Sequence, residues 1–279
     1  MGKKLEKRSI PANILIYLIL ILLAVSYLYP LYFMGVNSLK SQAEYMKDMF
    51  SVDLLKGHFE NYLIIFKNFK IGQYLFNTLL VTVLKLVFTM PLAIFASYAF
   101  AKLRFRGKNA MYPLIISAMF IPFQVIMIPL YLEEFNLGIL NTYAGLILPR
   151  AASAYGIYML TSFFGNIPKS LDEAARIDGM KEFQIYSRII APLAKPAFVT
   201  LGIFHFMNNW NDLLYPMMLT SSVEMRTLSA GLAVLVGSNS IKFGPTLAAT
   251  VISIAPLLIL FLFGQRFFME GIATSGMKE

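Results

Sequence analysis

Six long runs of apolar residues, nearly free of charge, leave this chain few ways to fold. They lie at about residues 12–35, 74–101, 110–131, 143–164, 197–219 and 246–268. About 20 such residues cross the hydrocarbon of a bilayer as a helix. Lipid offers no partner for a backbone N–H or C=O, so each run is expected to be helical. The short alternating segments of a β-barrel are absent. Only 14% of the residues are charged and 58% are hydrophobic, where a soluble domain carries about 25% charged residues. The expected fold class is an all-α integral membrane protein of six transmembrane helices in a kinked bundle. Pro30, Pro91, Pro122, Pro129, Pro149, Pro216 and Pro256 mark the kinks.

The net charge of +9 does not require nucleic acid as a partner, because basic residues of membrane proteins gather in cytoplasmic loops. With the N-terminus inside, the cytoplasmic pieces are 1–10, 102–109, 165–195 and 266–279. They hold 15 of the 24 Lys and Arg. The loop KLRFRGKN at 102–109 is half basic, whereas 132–142 has no Lys or Arg and carries Glu133 and Glu134. Both termini are therefore expected in the cytoplasm. The first run, from Ile14 to Met34, is longer than the apolar region of a signal peptide and has no small-residue cleavage pattern after it, so it reads as a retained span. Residues 1–70 form a tail, a first helix and an outer segment with room for no more than a small helical cap. Residues 71–279 form a five-helix core with the loop 165–195 on its cytoplasmic side.

There is no cysteine, which removes disulfides, Cys-ligated zinc and iron–sulfur clusters, and two histidines make a His-rich metal site unexpected. No GxSxG or HExxH pattern points to an enzyme, and no G-x-x-x-x-G-K-[ST] phosphate loop is present. His58 is expected to be simply solvated.

The loop reads PKSLDEAARIDGMKEFQIYSRIIAPLAKP over 168–196. Ser170 and Glu173 fit a capping box, so a helix is expected from Leu171. Gly179 fits its left-handed stop. A second helix, roughly Lys181 to Ile190, is expected to end before Pro192. Helical spacing puts Leu171, Ala174, Ala175 and Asp178 on one face, and Phe183, Tyr186 and Ile190 on one face of the second helix. Such a pair suits either docking into a groove of another protein or lying on the bilayer surface.

EAARIDG at 173–179 followed by IIAPLAKP resembles the EAA signature of permease subunits of bacterial binding-protein-dependent ABC importers. Glu173, Ala174, Ala175, Gly179, Ile189 and Pro192 match it, and Ala191 replaces the usual leucine. NTLL at 77–80, ASYAFAKLRFRGKN at 96–109, NTY at 141–143, GLILP at 145–149, WND at 210–212 and QRFFMEGIATSGMK at 265–278 are similar to the carbohydrate-uptake, maltose-type branch. The resemblance runs from about residue 70 to the C-terminus.

It implies a multi-pass protein of the bacterial cell membrane whose loop docks in a cleft of a cytoplasmic ATPase dimer. Glu173 would make a polar contact, Ala174 and Ala175 the close packing and Gly179 the turn. ATP and Mg would be used by that ATPase, with no cofactor bound by this chain. The other partners implied are a second homologous permease, as a heterodimer, and an extracytoplasmic substrate-binding protein landing on the outer segment and on 220–245.

Charges at membrane depth usually face a bundle interior or a cavity. In the fifth run His205, Asn208, Asn209 and Asp212 fall on one helical stripe, with Trp210, Asn211 and Tyr215 close by. At about 1.5 Å per residue, Asp212 and Arg150 lie about 11 Å and Gln124 about 10 Å below the outer ends of their runs. The three are expected to meet at one level, with Arg150 and Asp212 paired or bridged, lining the outer half of a path that suits a sugar. Polar glue between helices is the other reading of these residues. Lys85, mid-depth on the second run, is a further candidate. The function expected is a permease subunit of an ATP-driven sugar importer. The alternatives are the same role for another solute such as a glycerol phosphate ester, or an ion-coupled secondary transporter with Asp212 and His205 as proton carriers.

Overall fold

A computed structural model describes residues 10–51, 57–237 and 242–276 of the chain. Helices and short connections account for all of them, and no strand occurs among the described residues. The basic residues Lys3, Lys4, Lys7, Arg8 and Lys278 lie outside the described residues. Two compact units appear: residues 1–70 with 234–254, and residues 71–233 with 255–279.

In the first unit, α1 (Ile10–Asn37) is one continuous helix through Pro30. From Asn13 to Pro30 every side chain but Ile16 is exposed, as befits a surface that meets lipid or another subunit, and burial begins only towards Asn37. The outer segment folds as two short helices, α2 (Gln42–Lys47) and α3 (Glu60–Asn68). A capping box starts α2: the Ser41 N–H donates to Glu44 Oε2 at 2.8 Å, and the Glu44 N–H donates to Ser41 Oγ at 3.3 Å. Asn61 donates to the carbonyls of Ser38 and Lys40 at 2.8 and 2.9 Å. Tyr45 stacks on Phe243 with ring centroids 4.5 Å apart. His58 is not merely solvated; its Nε2 sits 3.0 Å from Glu44 Oε2.

The second unit is built on α4 (Ile71–Lys102), a single helix through Pro91. Its buried side includes Tyr74, Thr78, Val81, Lys85, Thr89 and Ala93, a helical period of three to four. This face packs against α8 (Ala154–Asn166) and α12 (Lys195–Trp210). The resulting core runs from Ala93 and Leu160 down through Phe164 to Ala175, Ile185 and Ile190 of the loop, so loop and helices share one apolar interior.

Three of the six runs expected as single spans are interrupted. Residues 110–131 form α5 (Lys108–Ser117) and a 3-10 turn Ala118–Phe120, then bend by 100° into α6 (Phe123–Asn136). Pro122 causes the break by pushing the residue before it out of the helical region, and Ile121 is extended at φ −86°, ψ 112°. Residues 143–164 form α7 (Tyr143–Ile147) and a 3-10 turn Leu148–Arg150. The chain restarts as α8, with Ser153 Oγ accepting from the Gly156 N–H at 2.9 Å. Residues 197–219 divide into all but the first two residues of α12, and α13 (Leu214–Leu219), separated by Asn211–Leu213. Among the described residues, continuous helices long and apolar enough to cross a membrane lie at Asn13–Asn37, Ile71–Lys102 and Phe243–Gln265; the last belongs to α14 (Phe243–Gly276), a single helix with Pro256 inside it.

Gly145 of α7 is in the tightest of these connections. A Cβ there would overlap the Ile139 carbonyl oxygen and stand 3.0 Å from Glu134 Oε2. The backbone oxygen cannot rotate away, so Gly145→Ala should cost about 1–3 kcal/mol, read as a lowered midpoint in thermal unfolding of the detergent-solubilised protein.

Candidate functional site

Two sites emerge, one at each level of α4. At its C-terminal end, the Lys102 ammonium lies 2.8 Å from Asp172 Oδ2 and donates to the Ile167 carbonyl at 2.9 Å. Both side chains of the ion pair are essentially buried, at 3% and 5% exposure. The pair pins the start of α9 (Lys169–Ile177). That helix begins at Lys169 with Pro168 in the cap position and no side-chain cap, so the capping box expected from Ser170 and Glu173 does not form. Asp172 is drawn inward instead.

Its rotation decides the faces. Ala175 packs into the core at 3% exposure. Glu173, Ala174 and Asp178 point outward, so the expected common face of Leu171, Ala174, Ala175 and Asp178 is split. The two alanines have different tasks, Ala175 sealing the helix to the core and Ala174 standing on the open side. Gly179 at φ +76° ends the helix: its N–H donates to Arg176 O at 3.1 Å and the Met180 N–H to Ala175 O at 3.0 Å. That pair of bonds requires the left-handed residue that glycine supplies.

The second helix does not stop at Pro192. A short α10 (Glu182–Ile185) passes into a π turn, Tyr186–Ile190, and then α11 (Ala191–Leu193). Proline has no N–H to donate, and the wider turn just before it absorbs the mismatch. The chain then turns by 74° into α12. Ile185 and Ile190 are fully buried, whereas Phe183 is 69% exposed, so Phe183, Tyr186 and Ile190 do not share one open face. Ile189 is half-buried and Pro192 exposed. What remains outside is an apolar set, Leu171, Ile177 and Phe183. Arg176 Nε lies 2.8 Å from Glu182 Oε1 and the Tyr98 hydroxyl 3.1 Å from Glu182 Oε2, tying the two helices to each other and to α4.

At the other level of α4, Lys85 is 3% exposed and lies 3.9 Å from Asp212 Oδ2. The same oxygen accepts from Arg150 Nη1 at 2.7 Å. The Arg150 guanidinium lies against the rings of Phe123 and Tyr215, 4.8 and 4.9 Å from their centroids, the two rings meeting edge-to-face, and Lys85 lies 5.0 Å from the Tyr215 ring. Tyr215 Oη is 2.8 Å from Glu134 Oε1 and 2.7 Å from the Gly145 carbonyl oxygen. All three interrupted runs contribute: Phe123 follows the first break, Arg150 precedes the second and Asp212 lies inside the third.

The expected trio is thus two-thirds assembled. Arg150 and Asp212 are bonded directly, while Gln124 is exposed and its neighbour Phe123 takes the place against Arg150. The expected stripe is broken, because α12 ends at Trp210 and Asp212 is in the gap. Asn208 and Asn211 are exposed, and Asn211 donates to the Met207 carbonyl at 3.0 Å. Asn209 is half-buried. His205 Nε2 is buried without a hydrogen-bond partner, close against Gly156. Sequence reasoning missed Glu134, Asp172 and Phe123 as site residues. The signal available for Glu134 was its place in a pair of carboxylates beside an apolar run.

Other resemblance-bearing residues are structural pins. Asn77 is fully buried and donates to the carbonyls of Glu224 and Arg226 at 2.7 and 2.8 Å, while its Oδ1 accepts from the Tyr143 hydroxyl at 2.7 Å. Asn141, at φ +56°, accepts from the Ser221 and Ser222 N–H groups at 3.1 and 3.2 Å. Trp210 is 3% exposed and stacks on Phe206.

Three outcomes are expected. Asp172→Asn or Lys102→Met leaves one buried charge unpaired and should lower stability by about 3–5 kcal/mol, while Lys102→Met with Asp172→Leu recovers most of it; thermal unfolding of the four proteins reads this. The Arg176 guanidinium beside Glu182 holds its carboxyl below the usual carboxylate range. That stabilisation is present above the unfolded value of about 4.3 and fades as pH falls through the lower folded value. Both side chains are more than a third exposed, so Glu182→Gln should cost less than about 1 kcal/mol at neutral pH and nothing well below pH 4. Tyr215→Phe should cost about 1–3 kcal/mol by stranding the Gly145 carbonyl and Glu134, and Glu134→Gln, whose amide still offers Tyr215 Oη a hydrogen-bond partner, should cost less.

Residues 89–269 match the family described as binding-protein-dependent transport system inner membrane component. An arabinooligosaccharide transport system permease of Bacillus subtilis is 31% identical over 269 residues, covering 95% of this chain and 96% of the relative. A diacetylchitobiose uptake system permease of Streptomyces coelicolor is 32% identical, covering 89% and 83%. The crystal structure of a bacterial ABC transporter involved in import of the acidic polysaccharide alginate contains a chain similar to this one with a TM-score of 0.78 and 26% identity, over 96% of this chain and 100% of that one. With an all-helical fold whose apolar helices carry a buried charge cluster, and a match over most of its length, the chain belongs to the family of inner membrane components of binding-protein-dependent transport systems.

Proposed function

We propose that this chain is one half of the translocation path of an ATP-driven oligosaccharide importer, with residues 71–279 as the permease core. The observation that carries this reading is α4. One unbroken helix holds Lys85 in the charge cluster and Lys102 under the loop, 17 positions apart, which is about 26 Å at 1.5 Å per residue. A helix of that kind transmits a push on the loop to the path without needing a hinge.

In this reading six spans cross the membrane with both termini in the cytoplasm, and the interrupted runs count as single broken spans. The face of Leu171, Ala174, Ile177 and Phe183, with Glu173 and Asp178 beside it, seats in a cytoplasmic ATPase. Ile189 and Pro192 carry the strain of the turn into α12. ATP and Mg serve that partner, and nucleotide-driven closure moves α9 and α10, hence α4, α8 and α12 together. A homologous second permease completes the path, and a binding protein delivers the substrate from outside. The saccharides named for the relatives support a sugar substrate. Gln124, Arg150, His205, Asn208, Asn209, Asn211, Asp212 and Tyr215 are the path residues of this proposal; Lys85 and Glu134 support them.

Affinity purification of the tagged chain from gently solubilised native membranes should bring down an ATPase and a second permease, identified by mass spectrometry. Gly179→Asp, which places a side chain on a left-handed turn at the docking face, should lose the ATPase and keep the permease partner. Recovery of the chain alone, with solute uptake driven by an ion gradient, would overturn the reading.

A further inference from the structure

The charge cluster holds more positive than negative charge. Tyr215 Oη stands within hydrogen-bond distance of two acceptors, Glu134 Oε1 and the Gly145 carbonyl. A phenol has one proton and the carbonyl has none. If Glu134 were a carboxylate, one of the two contacts would press lone pair against lone pair. Both are satisfied when Glu134 carries a proton, donating to Tyr215 Oη while Tyr215 donates to Gly145. Glu134 is 1% exposed and its Oε2 has no hydrogen-bond partner, which a neutral acid tolerates far better than an anion. Glu134 then adds no charge. Lys85 and Arg150 share the single Asp212 carboxylate, on one and the same oxygen.

The two cations are not equivalent. Lys85 is shut in at 3% exposure and Arg150 is 38% exposed. A guanidinium in the membrane region does not face hydrocarbon when it has an alternative, so its open side looks into the path. One Arg150 nitrogen is used by Asp212, leaving donors of the planar fork for a second acceptor. The rings of Phe123 and Tyr215, packed edge-to-face on each other, hold the fork in place from one side. With Lys85 remaining beside Asp212, Arg150 can turn toward a ligand anion without leaving that carboxylate bare.

We propose that Arg150 is an anion-binding subsite of the translocation path and that the transported saccharide is acidic, bearing carboxylates. This rests on the oligosaccharide-importer reading. Lys85 is a positioning residue, holding Asp212 as the counter-ion that Arg150 exchanges for the substrate.

The test uses the complete importer purified from its own membranes, with its binding protein, in ATP-loaded proteoliposomes. Three labelled probes are compared: trigalacturonate, the same trisaccharide with its carboxyls reduced to hydroxymethyl groups, and glycerol 3-phosphate. Trigalacturonate should accumulate about 10- to 100-fold faster than the reduced form, the range of one charge-assisted contact. Arg150→Gln should erase that preference, slowing the acidic probe far more than the reduced one, and Arg150→Lys should restore part of it. Equal or faster uptake of the reduced trisaccharide by the unaltered importer, or an unchanged preference in Arg150→Gln, would overturn the acidic assignment while leaving sugar import standing. Uptake of no probe would overturn the acidic assignment alone, and uptake of glycerol 3-phosphate alone would overturn both. If Arg150→Gln does not assemble, the unaltered importer and Arg150→Lys still decide.

Discussion

At the end of α4 a lysine and an aspartate are shut away from water together. A buried ion pair is a poor source of stability, because desolvation offsets most of the attraction, but it is an exacting constraint on geometry. Lys102 holds Asp172 and the Ile167 carbonyl at once, and this fixes how α9 can rotate. With Asp172 turned in, Ala175 must meet the core, and Ala174, Ile177 and Leu171 must face away from it. The open apolar surface of the loop is therefore a consequence of an interaction on its hidden side. The Schellman turn at Gly179 and the Arg176–Glu182 contact then set the second helix against the first.

The second organising constraint belongs to the membrane. Irregular backbone at hydrocarbon depth is tolerated only where protein buries it or water reaches it. Three runs are broken, at Ile121–Pro122, at Ala151–Ser153 and at Asn211–Leu213, and all three supply a residue to one cluster: Phe123, Arg150 and Asp212. The breaks are thus not scattered defects. Each places a side chain where a straight helix would have pointed it elsewhere, and Tyr215, just past the third, closes the group onto Glu134 and Gly145. Asn77 and Asn141, which carry part of the resemblance to sugar-uptake permeases, hold the connection at 220–226 in place.

Apolar length alone determined that this chain is a helical membrane protein, because lipid allows a twenty-residue apolar segment no other spanning form than a helix. The EAA pattern determined the family and marked the loop, because a left-handed turn needs Gly179 and close packing needs small residues such as Ala174 and Ala175. Neither fact depends on distant contacts. Which alanine faces the core, whether Ser170 caps a helix and where Pro192 falls were decided by tertiary structure, since Asp172 answers to Lys102, 70 positions away. The Arg150–Asp212 pairing was legible from depth, as two opposite charges at one level of a low-dielectric region must find each other. The roles of Phe123, Lys85 and Glu134 were not. They depend on bends that periodicity does not reveal, and on three oxygens, of Tyr215, Glu134 and Gly145, brought together only by the folded chain.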